Sequence, residues 1–205
     1  MFCRERTGST WLHTLLNSHL NIHSDGEIVL DNSRRQFPQP FNVIAYRKMP
    51  RMIKAQGLKI FYDDHHYQQA CQTIIQDKSI KIILLRRKDI LAQFVSLKLA
   101  KTRSEWSGKS TDTQRIEVNL REFEKYQREY FLLERQLEEQ LQGHSILEVQ
   151  YERLIEHEEK ELRQIQSFLN VAKKSLQSTL KRQSTVPINE KITNWEEVQE
   201  YLIAK

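Results

Sequence analysis

The residues with the clearest chemical potential stand at the start of the chain, in Arg4-Glu5-Arg6-Thr7-Gly8-Ser9-Thr10-Trp11-Leu12. Phe2 and Cys3 read as the end of a short apolar strand and Gly8 permits a tight turn. From Ser9 onward the spacing of Leu12, Leu15 and Leu16 predicts an amphipathic helix to about Ser18. Such a turn aims free backbone N–H groups, the hydroxyls of Ser9 and Thr10 and the positive end of a helix dipole at one point, with Arg4 and Arg6 alongside. That is a socket for an anion. The plainer alternative is a helix start capped by Thr7 or Ser9 with both arginines in solvent. One glycine is weak punctuation, and the nucleotide pattern G-x-x-x-x-G-K-S/T is not satisfied.

A second basic turn weighs against the plainer reading. Ile80 to Leu85 is a nearly continuous, β-branched run of the kind buried on both faces, and it ends in Arg86-Arg87-Lys88-Asp89. Asp89 is placed to cap a helix through about Lys101, on which Gln93 and Ser96 share a face. Two guanidiniums at the end of a buried strand are unfavourable without an anion to satisfy them. Arg86 and Arg87 therefore read as a second socket. Two sockets at neighbouring strand ends suit a nucleotide with a 3′-phosphate and a 5′-diester.

The elements that must position these turns alternate. Residues 58–62 are β-rich, 67–77 have helical spacing, a long helix is predicted over 114–142, and a strand over 145–151. Helices at about 151–157, 159–170 and from Trp195 close the chain. The alternation predicts one α/β domain spanning 1–205, a three-layer α/β/α arrangement around a central parallel sheet, with ligands at the carboxyl ends of the strands. Residues 31–42, with Pro38 and Pro40, read as a surface loop.

Composition narrows the function. At 205 residues, with 39% hydrophobic and 29% charged residues, the chain suits a folded globule, and no run is long and apolar enough for a membrane span. The N-terminus has no signal-peptide pattern, so the expected location is cytoplasmic. A net charge of +5, with basic residues scattered among acidic ones, favours a local anion site over a nucleic-acid stripe. Cys3 and Cys71 have no metal-ligand spacing, and Asp63-Asp64-His65-His66 reads as a solvated turn, so no metal is expected. Ser107-Gly108-Lys109-Ser110 copies the tail of a Walker A loop without the strand and first glycine the mechanism needs, which argues against a P-loop kinase.

Arg6 to Leu12 together with Leu84-Leu85-Arg86-Arg87-Lys88-Asp89 and the Gln93-Phe94-Val95-Ser96-Leu97 segment resembles the two cofactor motifs of sulfotransferases, which use 3′-phosphoadenosine 5′-phosphosulfate (PAPS) and release the bisphosphate PAP. The first segment is similar to the family's 5′-phosphosulfate loop, with Arg6 where cytosolic animal members carry Lys. The second resembles the 3′-phosphate element of bacterial carbohydrate sulfotransferases of the trehalose and nodulation-factor kind, with Trp106 following. Leu58 to Tyr62 is similar to a Lys- and Tyr-containing strand, Val149 to Leu154 to a late strand and helix, and Lys181 to Val198 to a C-terminal tail of those enzymes. Only Met1 to Cys3 precede Arg4, where the family has several apolar residues.

The resemblance implies transfer of a sulfuryl group to a hydroxyl of a carbohydrate or glycolipid. It places Arg6, Thr7, Gly8, Ser9, Thr10 and Trp11 around the phosphosulfate, and Ser96 with Arg86 or Arg87 on the 3′-phosphate. Arg6 cannot easily give up a proton and is assigned an electrostatic role. Glu27, after the Gly26 turn, resembles the Gly-Glu of carbohydrate sulfotransferases and is the expected base. His23 is its competitor, and His13 and His19 are weaker ones. The alternative is a non-catalytic nucleotide-binding or interaction protein that keeps the fold and uses the long charged helix as a partner surface. The acceptor's identity and the oligomeric state stay open at this level.

Overall fold

The apolar run expected as a strand from Ile80 to Leu85 supplies a central strand of a parallel sheet, running from Ile82 to Arg86, in the structure, a computed structural model that describes residues 1–26, 50–103, 114–180 and 186–204. In chain order the elements are β1 (Phe2–Cys3), α1 (Ser9–Asn17), β2 (Ile22–Ser24), β3 (Ala55–Gly57), β4 (Ile60–Phe61), α2 (Gln68–Gln76), β5 (Ile82–Arg86), α3 (Ile90–Arg103), α4 (Leu120–Gln140), β6 (Ile146–Gln150), α5 (Tyr151–Glu156), α6 (Glu158–Phe168) and α7 (Trp195–Ile203). Short 3₁₀ turns occupy His65–Tyr67 and Ile188–Lys191. The described residues fall into two compact units, Met1–Lys88 with Glu139–Leu180, and Asp89–Glu138 with Lys181–Lys205.

The first unit holds both sheets. Four parallel strands run in the order β4-β1-β5-β6, with Cys3 opposite both Phe61 and Leu85, and Arg86 opposite Gln150. Because every pairing is parallel, the carboxyl ends of all four strands lie along one edge. Phe2, Cys3, Ile60 and Ile82 to Leu85 are buried, as a strand covered on both faces requires. Leu12, Leu15 and Leu16 of α1 and Leu162 and Ile165 of α6 are buried too. β2 and β3 form a separate parallel pair.

The second unit is a helical cluster. Leu91, Phe94 and Val95 of α3, Val118, Phe123 of α4, Ile192, and Val198 of α7 form its core. Phe94 and Phe123 meet with ring centroids 5.4 Å apart. Asp89 caps α3 as its sequence position implies, its Oδ1 accepting the Ala92 N–H at 2.8 Å.

The long helix starts six residues later than its apolar spacing indicates. Asn119 Oδ1 accepts the Glu122 N–H at 3.1 Å and sets the N-terminus of α4 there. Upstream, Ile116 pairs in a parallel bridge with Ile192, and the Asn194 amide holds both the N–H and the C=O of Val118, at 2.9 and 3.0 Å. These partners keep residues 114–119 extended. Among the described residues, no helix is long and apolar enough to cross a membrane.

Candidate functional site

Five residues, Arg4 to Gly8, turn the end of β1 into a loop. Arg6 and Gly8 both have positive φ, 64° and 81°, and α1 begins at Ser9. Gly8 occupies the cap position, and no side chain caps the helix. Thr7, a candidate cap from sequence, turns back and donates its hydroxyl to the Arg4 carbonyl at 2.8 Å. Among the described residues, then, the first N–H groups of α1 have no side-chain acceptor, which leaves the positive end of the helix directed outward. Ser9 is buried and hydrogen-bonds the Cys3 thiol, whereas Thr10 is exposed and Trp11 half-buried.

Each arginine near this loop has a distinct place. Arg4 is buried and donates from Nε to Asp63 Oδ2 at 2.7 Å, so it braces β1 against the turn after β4. Arg86 and Arg87 diverge, as successive residues leaving a strand must. Arg86 Nη1 lies 3.1 Å from Glu148 Oε1 on β6. Arg87 turns to the β1 loop instead, its Nη1 donating to the Arg6 carbonyl at 3.2 Å. The Arg6 pKa is lowered, first by burial and then by the nearby Arg87 charge, with Glu5 and Tyr151 acting in the opposite sense. Two guanidiniums converge where a bound anion would relieve their repulsion.

A buried lysine joins them. Lys59, 2% exposed, stands just before β4 and donates from Nζ to Thr10 Oγ1 at 3.2 Å, with its ammonium 5.0 Å from the Phe61 ring centroid. Sequence reasoning noted this lysine only as part of a family-like strand. Its inward direction follows from a parallel register that the local pattern does not contain.

Tyr151 was passed over in the same way. It begins α5 at the carboxyl end of β6, with the Arg87 Cζ 4.8 Å from its ring centroid. Glu152 beside it accepts the Lys88 N–H at 3.0 Å and lies 3.9 Å from Arg87 Nε.

The candidate bases separate by position. Glu27 lies outside the described residues, as do residues 31–42, Trp106 and the Ser107 to Ser110 segment. Gly26, immediately before Glu27, has φ 65° and accepts the Lys59 N–H at 3.0 Å, so the chain leading to Glu27 departs from beside Lys59. His23 is half-buried on β2, its Nε2 3.1 Å from Oδ1 of the buried-side carboxylate Asp25. His13 is engaged at both ring nitrogens, by Ser24 Oγ at 2.8 Å and Asn17 Nδ2 at 3.2 Å. His19 is buried between the Asn21 N–H and the Ala172 carbonyl, a structural pairing. Ser96 and Gln93 belong to α3 in the second unit, where Gln93 is fully buried and Ser96 partly so.

Asp64, His65 and His66 bring their ligand atoms within 4.8 Å of one another. Asp64 Oδ1 there accepts the His66 N–H at 2.9 Å and caps the 3₁₀ turn, and both imidazoles are exposed. The Asp64 carboxyl is held below its ordinary value; burial works against this, and the hydrogen bonds from His66 outweigh it. A capped, solvated turn accounts for the cluster.

Two comparisons bear on this arrangement. Residues 78–175 match the family model described as "Sulfotransferase family". That span contains β5, Arg86, Arg87, Ser96, β6 and Tyr151, and the β1 loop precedes it. The fold is similar to that of a sulfotransferase from Alicyclobacillus acidocaldarius whose crystal structure is known, with a TM-score of 0.56 at 14% identity over 99% of this chain and 91% of that one. No curated protein matches the chain in sequence. The α/β fold with a central parallel sheet is thus shared with that sulfotransferase.

Proposed function

We propose that this chain is a PAPS-dependent sulfotransferase that moves a sulfuryl group to a hydroxyl of a carbohydrate or glycolipid, and that it works in the cytoplasm. The observation that carries the reading is the meeting of two basic turns on one sheet edge: Arg87 from β5 bonded to the Arg6 carbonyl of the β1 loop at 3.2 Å. The family match over residues 78–175 supports it.

The residues fit a phosphosulfate. Gly8 gives the positive-φ turn into α1, the start of α1 lacks a side-chain cap, and Arg6 with Arg87 supplies the counter-charge. When bound, PAPS supplies an activated sulfuryl group and a phosphate leaving group. The N–H groups at the start of α1 and Arg6 hold the charge that grows on the leaving oxygen. Arg6 does not release a proton near neutral pH, so that task passes to Lys59, held at the Thr10 hydroxyl. Arg87 is assigned to a phosphate in preference to Arg86, which is turned to Glu148. A base after β2 takes the acceptor's proton; Glu27 is the first choice. His23, oriented by Asp25, has the form of the second.

Purified protein incubated with sulfur-labelled PAPS and a panel of sugars and glycolipids tests the proposal. Transfer of label supports it. Tight PAP binding with no transfer to any hydroxyl acceptor would instead favour the non-catalytic reading. Glu27→Gln is expected to abolish turnover with nucleotide affinity nearly unchanged. Full turnover in that variant, with loss in His23→Gln, reassigns the base.

A further inference from the structure

Gly8 is required for a reason besides its positive φ. A Cβ placed there would lie 2.6 Å from both Cδ2 and Cε2 of Tyr151, so the phenol ring lies directly on the loop backbone. The same ring has the Arg87 guanidinium carbon 4.8 Å from its centroid. Arg87 in turn donates to the Arg6 carbonyl at 3.2 Å. Three groups from three strand ends thus form a closed cycle: the loop after β1, the arginine after β5 and the first residue after β6. Glu152 secures the third side by accepting the Lys88 N–H at 3.0 Å.

We propose that Tyr151 is a positioning residue, and that its ring couples the Gly8 turn to Arg87 so that the two anion-binding elements hold one fixed spacing. The proposal rests on the nucleotide reading given above. Nothing about the phenol hydroxyl is needed for it: the contacts to Gly8 and Arg87 are made by ring carbons. An aromatic ring is well suited to this place because one face-sized rigid body can press on a bare glycine backbone and still attract a cation through its quadrupole. A leucine has comparable bulk and cannot do the second.

The test is PAP affinity, by calorimetry, for Tyr151→Phe, Tyr151→Leu, Arg87→Ala and the double variant Tyr151→Leu with Arg87→Ala. Tyr151→Phe is expected to bind within about twofold of the unaltered chain, and Tyr151→Leu about tenfold more weakly, the scale of a desolvated cation–π contact. In the Arg87→Ala background the Leu change is expected to cost little further, since Tyr151 acts through that guanidinium. Rescue by Phe and this lack of additivity are results that a general loss of folding would not produce. The proposal is overturned if Tyr151→Leu binds as tightly as the unaltered chain, or if the two losses simply add. If the unaltered chain does not bind PAP, the nucleotide reading fails, and the coupling is read from unfolding midpoints instead. There the Gly8→Ala loss must shrink in the Tyr151→Ala background, and an unchanged loss rejects the coupling.

Discussion

At Lys59 the chain keeps a long cationic side chain almost wholly out of water, at 2% exposure, with its ammonium on the Thr10 hydroxyl beside the β1 loop. That ammonium adds positive charge next to the Gly8 turn, where an anion would sit. Lys59→Met is expected to lower turnover by about 10²–10³, the usual loss for one charge-stabilising donor, measured as kcat with saturating PAPS. Lys59→Arg is expected to keep PAP affinity and lose turnover, because a guanidinium does not donate the proton. The cysteines give a second residue-scale expectation. Burial pushes the Cys3 thiol up to about 12, with Lys59 opposing, and burial likewise pushes Cys71 up to about 12. A thiol whose pKa is raised on folding stabilises the fold below the unfolded value of 9.0 and loses that contribution as pH climbs towards 12. Unfolding free energy is therefore expected to fall above pH 9, by up to about 1.4 kcal/mol per pH unit for each thiol. At pH 8 both should resist alkylation until denaturant is added.

The elements differ in how far local sequence determines them. β5 was legible because four consecutive buried residues, Ile82 to Leu85, leave a hydrophobic run that only a doubly covered strand explains. The α1 start was legible in outline, through Gly8 and the leucine spacing, although the cap fell on Gly8 with the Thr7 hydroxyl directed elsewhere. The start of α4 was not legible. Asn119 looks like any polar residue before a helix, and the Asn194 side chain that holds Val118 comes from far along the chain. Tyr151 was hidden for the same reason: its contacts to Gly8 and Arg87 exist only once β1, β5 and β6 are side by side. Asn194→Ala should strip two hydrogen bonds from a buried backbone pair and cost about 1–3 kcal/mol, read from denaturant titration. A loss below a few tenths of a kcal/mol would show that solvent replaces the amide.

For the molecule as a whole, the parallel order β4-β1-β5-β6 is what gathers the loop after β1, Arg87 after β5 and Tyr151 after β6 on one edge. The modest net charge of +5 leaves that edge as the local source of anion affinity. PAP binding should accordingly weaken with ionic strength far less than binding to an exposed basic surface would, since partly buried charges are poorly screened. The most direct measurement of the central claim is calorimetric titration of PAP, adenosine 5′-monophosphate and ATP into the unaltered chain and into Arg87→Ala. The account requires PAP to bind the unaltered chain most tightly, without magnesium, and to lose at least about tenfold in Arg87→Ala. Equal affinity for all three nucleotides, or PAP affinity untouched by removal of the Arg87 guanidinium, would contradict it.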